Sequence, residues 1–581
     1  MSNKIIFTDF FDTVMFRRIH SSQIYVQWAK ALIHKYPVIG DNQTSSTLEL
    51  LLHECRNKLR MQYKEPPYQL VIGLLYDKLI ETTQLAVNKE QFIIQSLKID
   101  IAVELGCQYP NEHLVKRFRK AKMDGAKIYI VSDFYLPQEA YNAFLMKSHL
   151  DDLFDGVYVS ETFNCTKSDG SLYVYVLNDL HLDPEYVEMY GDNRHSDVKM
   201  AKINGIKGKW YFPLKHKVWT NISRKLNWDY SKRIVRKESW WLYRHTNFEE
   251  YSLVLYYFNQ KLTTRVNDLK IDKVAFLSRG GYFLLKIFNA LQVLITPLDR
   301  QSRGEYCYNS RKVCFTARDQ KAIDGEQYKL MHEYMNSFKA SNGNIYIIDE
   351  GWYNHSQQAM CSTFGYNIYG FYIGSRAKEI WKEYNICHRE GLLFDYRTKY
   401  DKSKYYGIFC TNCSMYEQML TAEHGSVIGY GRNDKNEIIP ILKVSGKEDE
   451  IYQRYIKHMQ ECMLLQIEGI AVWLLESPIP EKQLAKIVLR ASVFANHRRC
   501  RFLNDLDKHR FDNCSSGKRI PDKSIKDVKI NITVLLLHPA DYLGMFCKLQ
   551  RKLDGNIILR WLYYPIAICY YIYIYILTFI K

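Results

Sequence analysis

Four short apolar strands, each followed by its own set of polar residues, constrain the fold of the first part of this chain most strongly. Ile5–Thr8 is followed by Asp9, Lys127–Val131 by Ser132 and Asp133, Val157–Val159 by a loop containing Lys167, and Val187–Tyr190 by Gly191, Asp192 and Asp197. Helical stretches separate the strands, and this alternation predicts a parallel sheet with helices on both faces. Because ligands bind at the carboxyl ends of the strands in such sheets, we expect the polar residues to share one edge.

The stretch between the first two strands is helical in its apolar spacing from about residue 22 to residue 120. Ile24, Trp28 and Leu32, for example, recur at i, i+4 and i+8. Asn111 is predicted to cap a helix over Glu112–Met123, and Gly125 fits the residue just past its end. A helical insert therefore divides the predicted sheet.

The order of the polar residues resembles the haloacid dehalogenase (HAD) superfamily, known for metal-dependent phosphohydrolases. Its first motif is an apolar strand followed by D-x-D-x-T, and the matching run here is DFFDT, residues 9–13. Ser132 matches the second motif, Lys167 the third, and Gly191-Asp192 with Asp197 the fourth. The resemblance implies an α/β fold over residues 1–215, a HAD-like Rossmannoid parallel sheet with a helical cap inserted at about residues 18–120.

The resemblance also implies a Mg²⁺ site. Asp9, the main-chain carbonyl of Phe11, Asp192 and Asp197 are its predicted ligands, with Asp197 either holding a metal-bound water or orienting Lys167. Oxygen ligands suit this hard cation, and its charge would let a phosphoryl group approach the Asp9 carboxylate.

The predicted catalytic residues are Asp9 as nucleophile, Lys167 as a source of positive charge and Ser132 as a hydrogen-bond donor to the phosphoryl group. Thr13 and Asp133, which stand beside these motifs, are predicted to contact the substrate. A structural alternative is that such residues are ordinary helix caps and strand-end turn residues.

The chain departs from the HAD phosphatases at Phe11. Those enzymes carry a second Asp two residues after the nucleophile, where it acts as general acid and then base. Residues two apart in an extended segment share a face, so the Phe11 ring is expected beside Asp9 while Asp12 points away. Loss of such a proton donor typically lowers the rate by ~10²–10⁴. The chain is therefore predicted to be a slow hydrolase, a substrate-trapping domain, or an enzyme whose acid comes from elsewhere.

Several longer phrases resemble a subgroup of predicted hydrolases encoded among bacterial capsule and lipopolysaccharide synthesis genes. In the first half these phrases are DFFDTVMFR (9–17), SDFYLP (132–137) and GDNRHSD (191–197). In the second half they are FLSRGGY (276–282), IIDEGWYNHSQ (347–357), IYGFYIG (368–374) and EHGSVIGY (423–430). An acidic residue usually stands in that subgroup where this chain has Gly280.

Residues 246–545 predict a second α/β domain. The strand Lys273–Leu277 is followed by Ser278-Arg279-Gly280-Gly281, and the strand Ile345–Ile348 by Asp349 and Glu350. The second arrangement is similar to the ribose-phosphate site of type I phosphoribosyltransferases, in which adjacent acids hold ribose hydroxyls. That resemblance makes Asp349 and Glu350 candidate substrate-binding residues; the alternative is an α/β core with two turn-forming acids.

The chain carries 80 Lys and Arg against 63 Asp and Glu, a net charge of +17. The basic residues are densest at 224–237, within a predicted helical connector over 216–245. Since we find no nucleic-acid motif near it, the charge is assigned to phosphorylated small molecules or anionic lipid rather than to nucleic acid. The 14 cysteines show no disulfide or zinc spacing, and no secretory signal is visible at the start, which favours the cytoplasm.

A hydrophobic, Tyr-rich tail over 546–581 ends the chain. Residues 561–580 carry no charge and are long enough for one membrane span. Six of them are Tyr, however, and Tyr571–Ile576 alternates Tyr and Ile with the period of a strand. A membrane anchor and a peripheral or buried terminal segment are therefore both expected.

Together these features predict a cytoplasmic, Mg²⁺-dependent phosphohydrolase-like enzyme that acts on a phosphorylated sugar or polyol in surface polysaccharide synthesis, with membrane contact through the tail. Two alternatives stay open. One is a transferase with its chemistry in the second domain and a HAD-like binding module. The other is a non-enzymatic, membrane-associated assembly factor.

Overall fold

The computed structural model describes residues 4–226, 228–376, 387–396, 405–411, 413–444, 447–475, 477–495, 497–509, 538–553 and 556–580. The chain forms two compact units. Unit 1 comprises Met1–Val235, Leu291–Asp299 and Glu461–Leu475, and unit 2 comprises Arg236–Ala290, Arg300–Gln460 and Glu476–Lys581. Both units are discontinuous in sequence. The sequence predicts four contiguous domains, and this division stays a prediction: 1–215, 216–245, 246–545 and 546–581.

The strands of unit 1 build one five-stranded parallel sheet and one two-stranded ribbon. In chain order they are β1 (Ile5–Thr8), β2 (Met15–Arg17), β3 (Gln108–Pro110), β4 (Lys127–Ser132), β5 (Gly156–Val159), β6 (Val187–Gly191) and β7 (Lys207–Trp210). The large sheet has the order β5-β4-β1-β6-β7, while β2 and β3 pair antiparallel. The predicted HAD-like parallel sheet is thereby confirmed.

The central strand β1 positions the candidate nucleophile. It lies between β4 and β6, with Thr8 in register with Ile130 on one side and Tyr190 on the other. All four of its residues are buried, which is typical of a parallel strand covered on both faces. The residue that follows Thr8 therefore emerges at the middle of the carboxyl edge of the sheet.

Helices fill the insert between β2 and β3, as the sequence predicts. The five helices of the insert are Ser22–Lys35, Pro37–Gly40, Ser45–Leu59, Tyr68–Ile80 and Lys89–Cys107. The other helices of unit 1 are Glu112–Met123, Ala140–Lys147, Ser160–Phe163, Ser171–Asp179, Ala201–Ile203 and Leu214–Lys225, with the 3₁₀ turn Pro184–Tyr186 and the π-helical segment Arg194–Met200. Most of the helix Lys457–Leu474 also belongs to unit 1.

The insert is tied to the loop after Asp9 by a buried ion pair. The guanidinium of Arg17 donates from Nε and Nη2 to the two carboxylate oxygens of Glu104, at 2.9 and 2.7 Å. Gln108 Nε2 donates to the same carboxylate at 2.8 Å, and the Arg17 guanidinium carbon lies 3.9 Å from the centroid of the Phe11 ring. The last helix of the insert thus holds the side chain that covers Phe11.

The Asn111 side chain does not cap the helix that follows it, in contrast to the prediction. Helix Glu112–Met123 has the predicted bounds, and Gly125 after it takes a φ of +91° that suits glycine. The Asn111 side chain makes no capping hydrogen bond; its Nδ2 donates instead to the main-chain carbonyl of Thr13 at 2.7 Å. It therefore stabilises the loop that follows Asp9.

Unit 2 contains a second parallel sheet, which confirms the second α/β domain. Its strands are β8 (Lys273–Leu277), β9 (Arg303–Cys307), β10 (Ile345–Trp352), β11 (Ile368–Ser375) and β12 (Cys387–Asp395), in the order β12-β11-β10-β8-β9. A separate antiparallel hairpin is formed by β13 (Val427–Arg432) and β14 (Ile438–Leu442). Strand β10 runs on to Trp352, so Asp349 and Glu350 lie within it rather than after it, because Gly351 and Trp352 still pair with β11.

The remaining helices of the described residues are Ser231–His245, Ser252–Asp268, Gly280–Leu294, Arg311–Gln320, Glu326–Asn336, His355–Phe364, Tyr406–Cys410, Cys413–Met419, Lys447–Ile451, Glu481–Val493, His497–His509, Leu543–Leu553 and Ile557–Tyr575. Short 3₁₀ turns occur at Glu249–Tyr251, Leu298–Arg300, Lys321–Ile323 and Pro539–Tyr542, and π-helical segments at Tyr452–Ile456 and Ile576–Ile580. The predicted connector is thus helical, in two pieces.

The end of the tail is helical, although Tyr and Ile alternate over Tyr571–Ile576 with the period of a strand. One segment of the described chain, Ile558–Ile580, is long and apolar enough to cross a membrane, and 28% of its apolar 18-residue window is buried. The buried positions Tyr563, Ala567, Tyr570 and Ile574 follow helical spacing. Alternation of Tyr with Ile does not distinguish the two periods, because both residue types are apolar enough for either face.

Candidate active site

A tight loop carries the chain away from Asp9. The main-chain N–H of Asp9 donates to the carbonyl of Tyr190 in β6 at 2.8 Å, which fixes Asp9 at the sheet edge. Asp12 has a φ of +58°, and the N–H groups of Val14 and Met15 both donate to the Phe10 carbonyl, at 2.9 and 2.8 Å. The left-handed residue reverses the chain so that β2 can begin directly afterwards.

The ammonium group of Lys167 lies between two carboxylates. Lys167 Nζ is 2.6 Å from Asp9 Oδ1 and 2.7 Å from Asp197 Oδ1, and the Lys167 and Asp197 side chains are almost fully buried. The two carboxylates raise the pKa of Lys167 well above its usual value despite the opposing effect of burial. Lys167 is therefore charged at every physiological pH.

The residues after β4 hold the Lys167 loop in place. The two carboxylate oxygens of Asp133 accept the main-chain N–H groups of Lys167 and Ser168, at 2.7 and 3.2 Å. Asp133 thus positions Lys167, and its contact with substrate stays a prediction. Ser132 ends β4 with 1% exposure, at the same carboxyl edge as Asp9.

The loop after β6 presents the other two carboxylates. Asp197 lies in the π-helical segment Arg194–Met200, a type of distortion that is frequent at functional sites. Its Oδ2 accepts the N–H of Asn193 at 2.9 Å. A Cβ on Gly191 would overlap this carboxylate, so the glycine of the G-D motif gives Asp197 the room to reach Lys167.

Asp9, Asp192 and Asp197 form a cluster that fits a magnesium ion. One carboxylate oxygen from each lies within 4.8 Å of the others, and such an oxygen set is what Mg²⁺ prefers. Burial raises the pKa of Asp9 to about 7 despite the opposing effect of Lys167, and the charges of Asp197 and Asp192 raise it further. Burial likewise raises the pKa of Asp192. Three carboxylates sharing so small a volume would be stabilised by a divalent cation. The Phe11 carbonyl stays a predicted fourth ligand.

The side chain at position 11 offers no proton. The Phe11 ring packs against Phe134, with centroids 4.1 Å apart, and beneath the guanidinium of Arg17. Asp12 is turned toward His216, whose Nε2 is 3.2 Å from Asp12 Oδ1. Although burial opposes it, the bond from His216 and the charges of Arg17 and Lys217 lower the pKa of Asp12 to about 2. Asp12 is therefore ionised at neutral pH and holds no proton to donate.

Sequence reasoning missed Lys217 and His216 at this site. The Lys217 ammonium pairs closely with Asp192 and lies 3.4 Å from Asp12 Oδ2. Both residues sit at the start of helix Leu214–Lys225, which follows β7 at the same sheet edge. The rule that polar residues follow parallel strands would have found them, but β7 (KGKW) has too little apolar content to be recognised as a strand.

The last predicted residue of this loop, Thr13, is fully buried. Its hydroxyl has no hydrogen-bond partner among the described residues, and its carbonyl accepts the Asn111 amide. A substrate contact by Thr13 stays a prediction. Asp349 and Glu350, by contrast, line a cavity within unit 2.

Comparison with known proteins agrees with the fold of unit 1. The family model described as haloacid dehalogenase-like hydrolase matches residues 4–205, the segment that contains all four polar loops and every strand of the large sheet except β7. Residues 4–205 are thus similar to that family in sequence, and the parallel sheet of this segment agrees with the predicted HAD-like fold. No curated protein matches the chain.

Solved structures similar to this chain include a 2-haloacid dehalogenase from Pseudomonas syringae pv. tomato DC3000, with 17% identity over 36% of this chain and 86% of that chain and a TM-score of 0.29. The HAD-hydrolase YfnB from Bacillus subtilis, bound to magnesium, has 13% identity over 36% and 87%, with a TM-score of 0.26. The L-2-haloacid dehalogenase from Xanthobacter autotrophicus has 18% identity over 35% and 75%, with a TM-score of 0.24.

We predict that Mg²⁺ binds about tenfold more tightly at pH 8 than at pH 6, since Asp9, with a pKa of about 7, passes from mostly protonated to mostly ionised between them. Calorimetric titration of the full chain with MgCl₂ at both pH values measures this. Asp9→Asn should remove most of the pH dependence, while Asp151→Asn, at an exposed position, should leave it intact. Equal affinity at both pH values in the unmodified protein would contradict the prediction.

Proposed function

We propose that unit 1 is a Mg²⁺-dependent phosphohydrolase-like enzyme with Asp9 as its nucleophile, acting on a phosphorylated sugar or polyol in surface polysaccharide synthesis. The observation that carries the proposal is the buried Lys167 ammonium held between Asp9 and Asp197, with Asp192 beside them. A nucleophilic carboxylate must meet a phosphoryl group that is itself negative. Positive charge at that point is therefore the first requirement of the reaction.

In the proposed reaction, Asp9 Oδ attacks phosphorus while the ester P–O bond breaks. The alcohol leaves, and an aspartyl phosphate forms on Asp9. Attack by water on phosphorus then releases inorganic phosphate and restores the carboxylate. Lys167 Nζ, 2.6 Å from Asp9 Oδ1, stands where it can stabilise the developing charge in both steps, and Ser132 is proposed to donate to a phosphoryl oxygen.

Asp9, Asp192 and Asp197 would hold the metal, with the Phe11 carbonyl as a proposed further ligand. Bound there, Mg²⁺ would supply the additional positive charge that lets the phosphate approach. The protein's own contribution is to keep these carboxylates in place through Lys167, Lys217 and the N–H of Asn193.

Protonation of the leaving alcohol distinguishes this site from a site with an acid at position 11. Because Phe11 cannot donate a proton and Asp12 is ionised, an alkoxide leaving group would depart slowly or take its proton from solvent. A phenolate leaving group needs no such help. Esters of acidic alcohols are therefore the better substrates of the proposed enzyme, while the physiological sugar or polyol phosphate turns over slowly.

We expect Mg²⁺-dependent release of phosphate, with para-nitrophenyl phosphate turned over faster than any alkyl phosphate in a panel of sugar and polyol phosphates. Asp9→Asn should reduce phosphate release at least ~10²-fold, since the nucleophile is lost, while Asp151→Asn should not change it. Phosphate release by coupled assay, with circular dichroism of each variant, measures this.

The hydrolase proposal fails if the unmodified protein and Asp9→Asn are equally inert across that panel. Activity lost in Asp349→Ala but kept in Asp9→Asn would favour the transferase alternative instead. Absence of Mg²⁺ binding to the unmodified chain would favour the non-enzymatic alternative. The proposed cellular role is tested by staining surface polysaccharide in cells whose only copy carries Asp9→Asn, where loss of polysaccharide is expected and unchanged staining contradicts it.

We further propose that the C-terminal helix contacts an anionic membrane surface without crossing it. One face packs within unit 2, where the Tyr570 ring stacks on Phe546 with centroids 3.7 Å apart and Lys486 donates to the Tyr575 hydroxyl. The other face exposes Trp561, Leu562, Ile566, Ile572 and Ile580. A helix that already packs one face on protein cannot be surrounded by lipid, whereas its exposed apolar face suits the headgroup boundary.

We expect the full chain to sediment with phosphatidylserine-containing vesicles, and the double variant Leu562→Asp, Ile566→Asp to lose most of this binding, because charge on that face opposes insertion. Ile323→Asp, at an exposed isoleucine of another element, is the matched control and should bind like the unmodified chain. Equal sedimentation of all three proteins would contradict the proposal.

A further inference from the structure

Unit 2 contains a cavity of about 380 Å³ at the carboxyl edge of its own parallel sheet. In chain order, the strand order β12-β11-β10-β8-β9 reads 5-4-3-1-2, so the direction of winding reverses between β8 and β10. Ligands of doubly wound sheets bind in the crevice outside the strand ends at this point. The residues after β8 and those at the end of β10 line the cavity, and its size suits a small organic molecule.

One wall of the cavity is an acidic pair. Asp349 and Glu350 both reach the space beside Gly280, where a Cβ would overlap the two carboxylates. Burial raises the pKa of Asp349 to about 7, and burial together with the charge of Asp349 raises the pKa of Glu350. The pair therefore retains a proton near neutral pH. Such a pair both donates and accepts hydrogen bonds, which suits adjacent hydroxyl groups better than it suits a divalent cation.

Basic side chains and helix N-termini supply positive charge in another part of the cavity. Arg279, Arg311 and Lys312 line the same cavity, as do the first residues of the helices Arg311–Gln320 and His355–Phe364. Both helices are ten residues long, and each presents main-chain N–H groups and the positive end of its dipole. This part of the cavity suits a phosphate group.

An unsatisfied buried side chain indicates independently that the cavity holds a ligand. Asn354 is 7% exposed and lines the cavity, yet neither its amide nitrogen nor its amide oxygen has a hydrogen-bond partner within the described parts of the chain. A buried amide without partners is costly, so a polar ligand is expected to pair with it. Trp352, Asn354 and Arg279 also have φ values of +75°, +57° and +73°, a conformation unusual for such residues and frequent at binding sites.

We propose that this cavity binds a phosphate ester of a polyhydroxy compound, a sugar phosphate in chemical class, with hydroxyl groups on Asp349 and Glu350 and the phosphate at Arg311, Arg279 and the helix N-termini. The site lies in unit 2 and does not depend on the hydrolase proposed for unit 1. It gives the chain a second place at which a phosphorylated sugar is recognised.

The test uses the full chain with Asp9→Asn in buffer containing EDTA, so that unit 1 neither turns over the probes nor binds metal. Calorimetry with ribose 5-phosphate, glucose 1-phosphate and glycerol 3-phosphate should detect one bound molecule per chain for at least one ester. The parent sugar or polyol alone, and inorganic phosphate alone, should each bind at least about tenfold more weakly than that ester, since each lacks half of the contacts.

Two variants in the same background assign the binding to this cavity. Arg311→Gln should weaken the ester at least about tenfold by removing a charged contact, and Gly280→Ala should weaken it because the added Cβ displaces the carboxylates. The controls are Arg318→Gln, exposed on the same helix as Arg311, and Gly431→Ala, where a Cβ meets only ordinary contacts; both should bind normally. Arg311 is exposed, so Arg311→Gln decides the matter if Gly280→Ala does not fold.

Two outcomes would overturn the proposal. The first is that none of the three esters binds; Asp349-dependent binding of Mn²⁺, titrated without EDTA into the Asp9→Asn chain, would then identify the cavity as a cation site instead. The second is that an ester binds equally well to Arg311→Gln and to its control.

Discussion

The buried ammonium of Lys167 is the group around which unit 1 is arranged. A charge removed from water costs several kcal/mol unless it is paired, and here Asp9 and Asp197 pair with it from two different loops. Asp9 follows β1 and Asp197 follows β6, while Asp133 after β4 fixes the main chain of Lys167 itself. These contacts form only if β4, β1 and β6 are neighbours, so the strand order and the site stabilise each other.

The same arrangement explains what the site lacks. Position 11 is enclosed by Phe134 and by Arg17, which is itself fixed by Glu104 of the inserted helices. Asp12 is directed to His216 and Lys217 rather than toward a leaving group. In the proposed reaction, charged residues would neutralise the phosphoryl group, whereas neither Phe11 nor Asp12 would donate a proton to the leaving alcohol. The proposed reaction would therefore be limited by departure of the leaving group.

The sequence predicted the parts of the site that depend on strand periodicity and spacing. Asp9, Lys167, Asp192 and Asp197 each follow an apolar strand or its loop, and parallel strands must end at one edge. Lys217 could not be predicted because β7, the strand before it, is a polar edge strand. The role of Asp133 could not be predicted because its partners are main-chain N–H groups, which every residue type except proline carries. In unit 2 the sequence predicted Asp349 and Glu350 as candidate binding residues. It did not predict that Arg311 and Asn354 line the same cavity, because that depends on the strand order, which residue types alone do not determine.

Identification of the residue that receives the phosphoryl group tests the proposed role of Asp9 most directly. The full chain is mixed with Mg²⁺ and a radiolabelled aryl phosphate, quenched in acid during turnover, and digested for peptide analysis. Hydroxylamine-sensitive label is expected on the peptide that contains Asp9, and no label is expected in Asp9→Asn. Label on another peptide, or phosphate release with no covalent label at any quench time, would contradict that role.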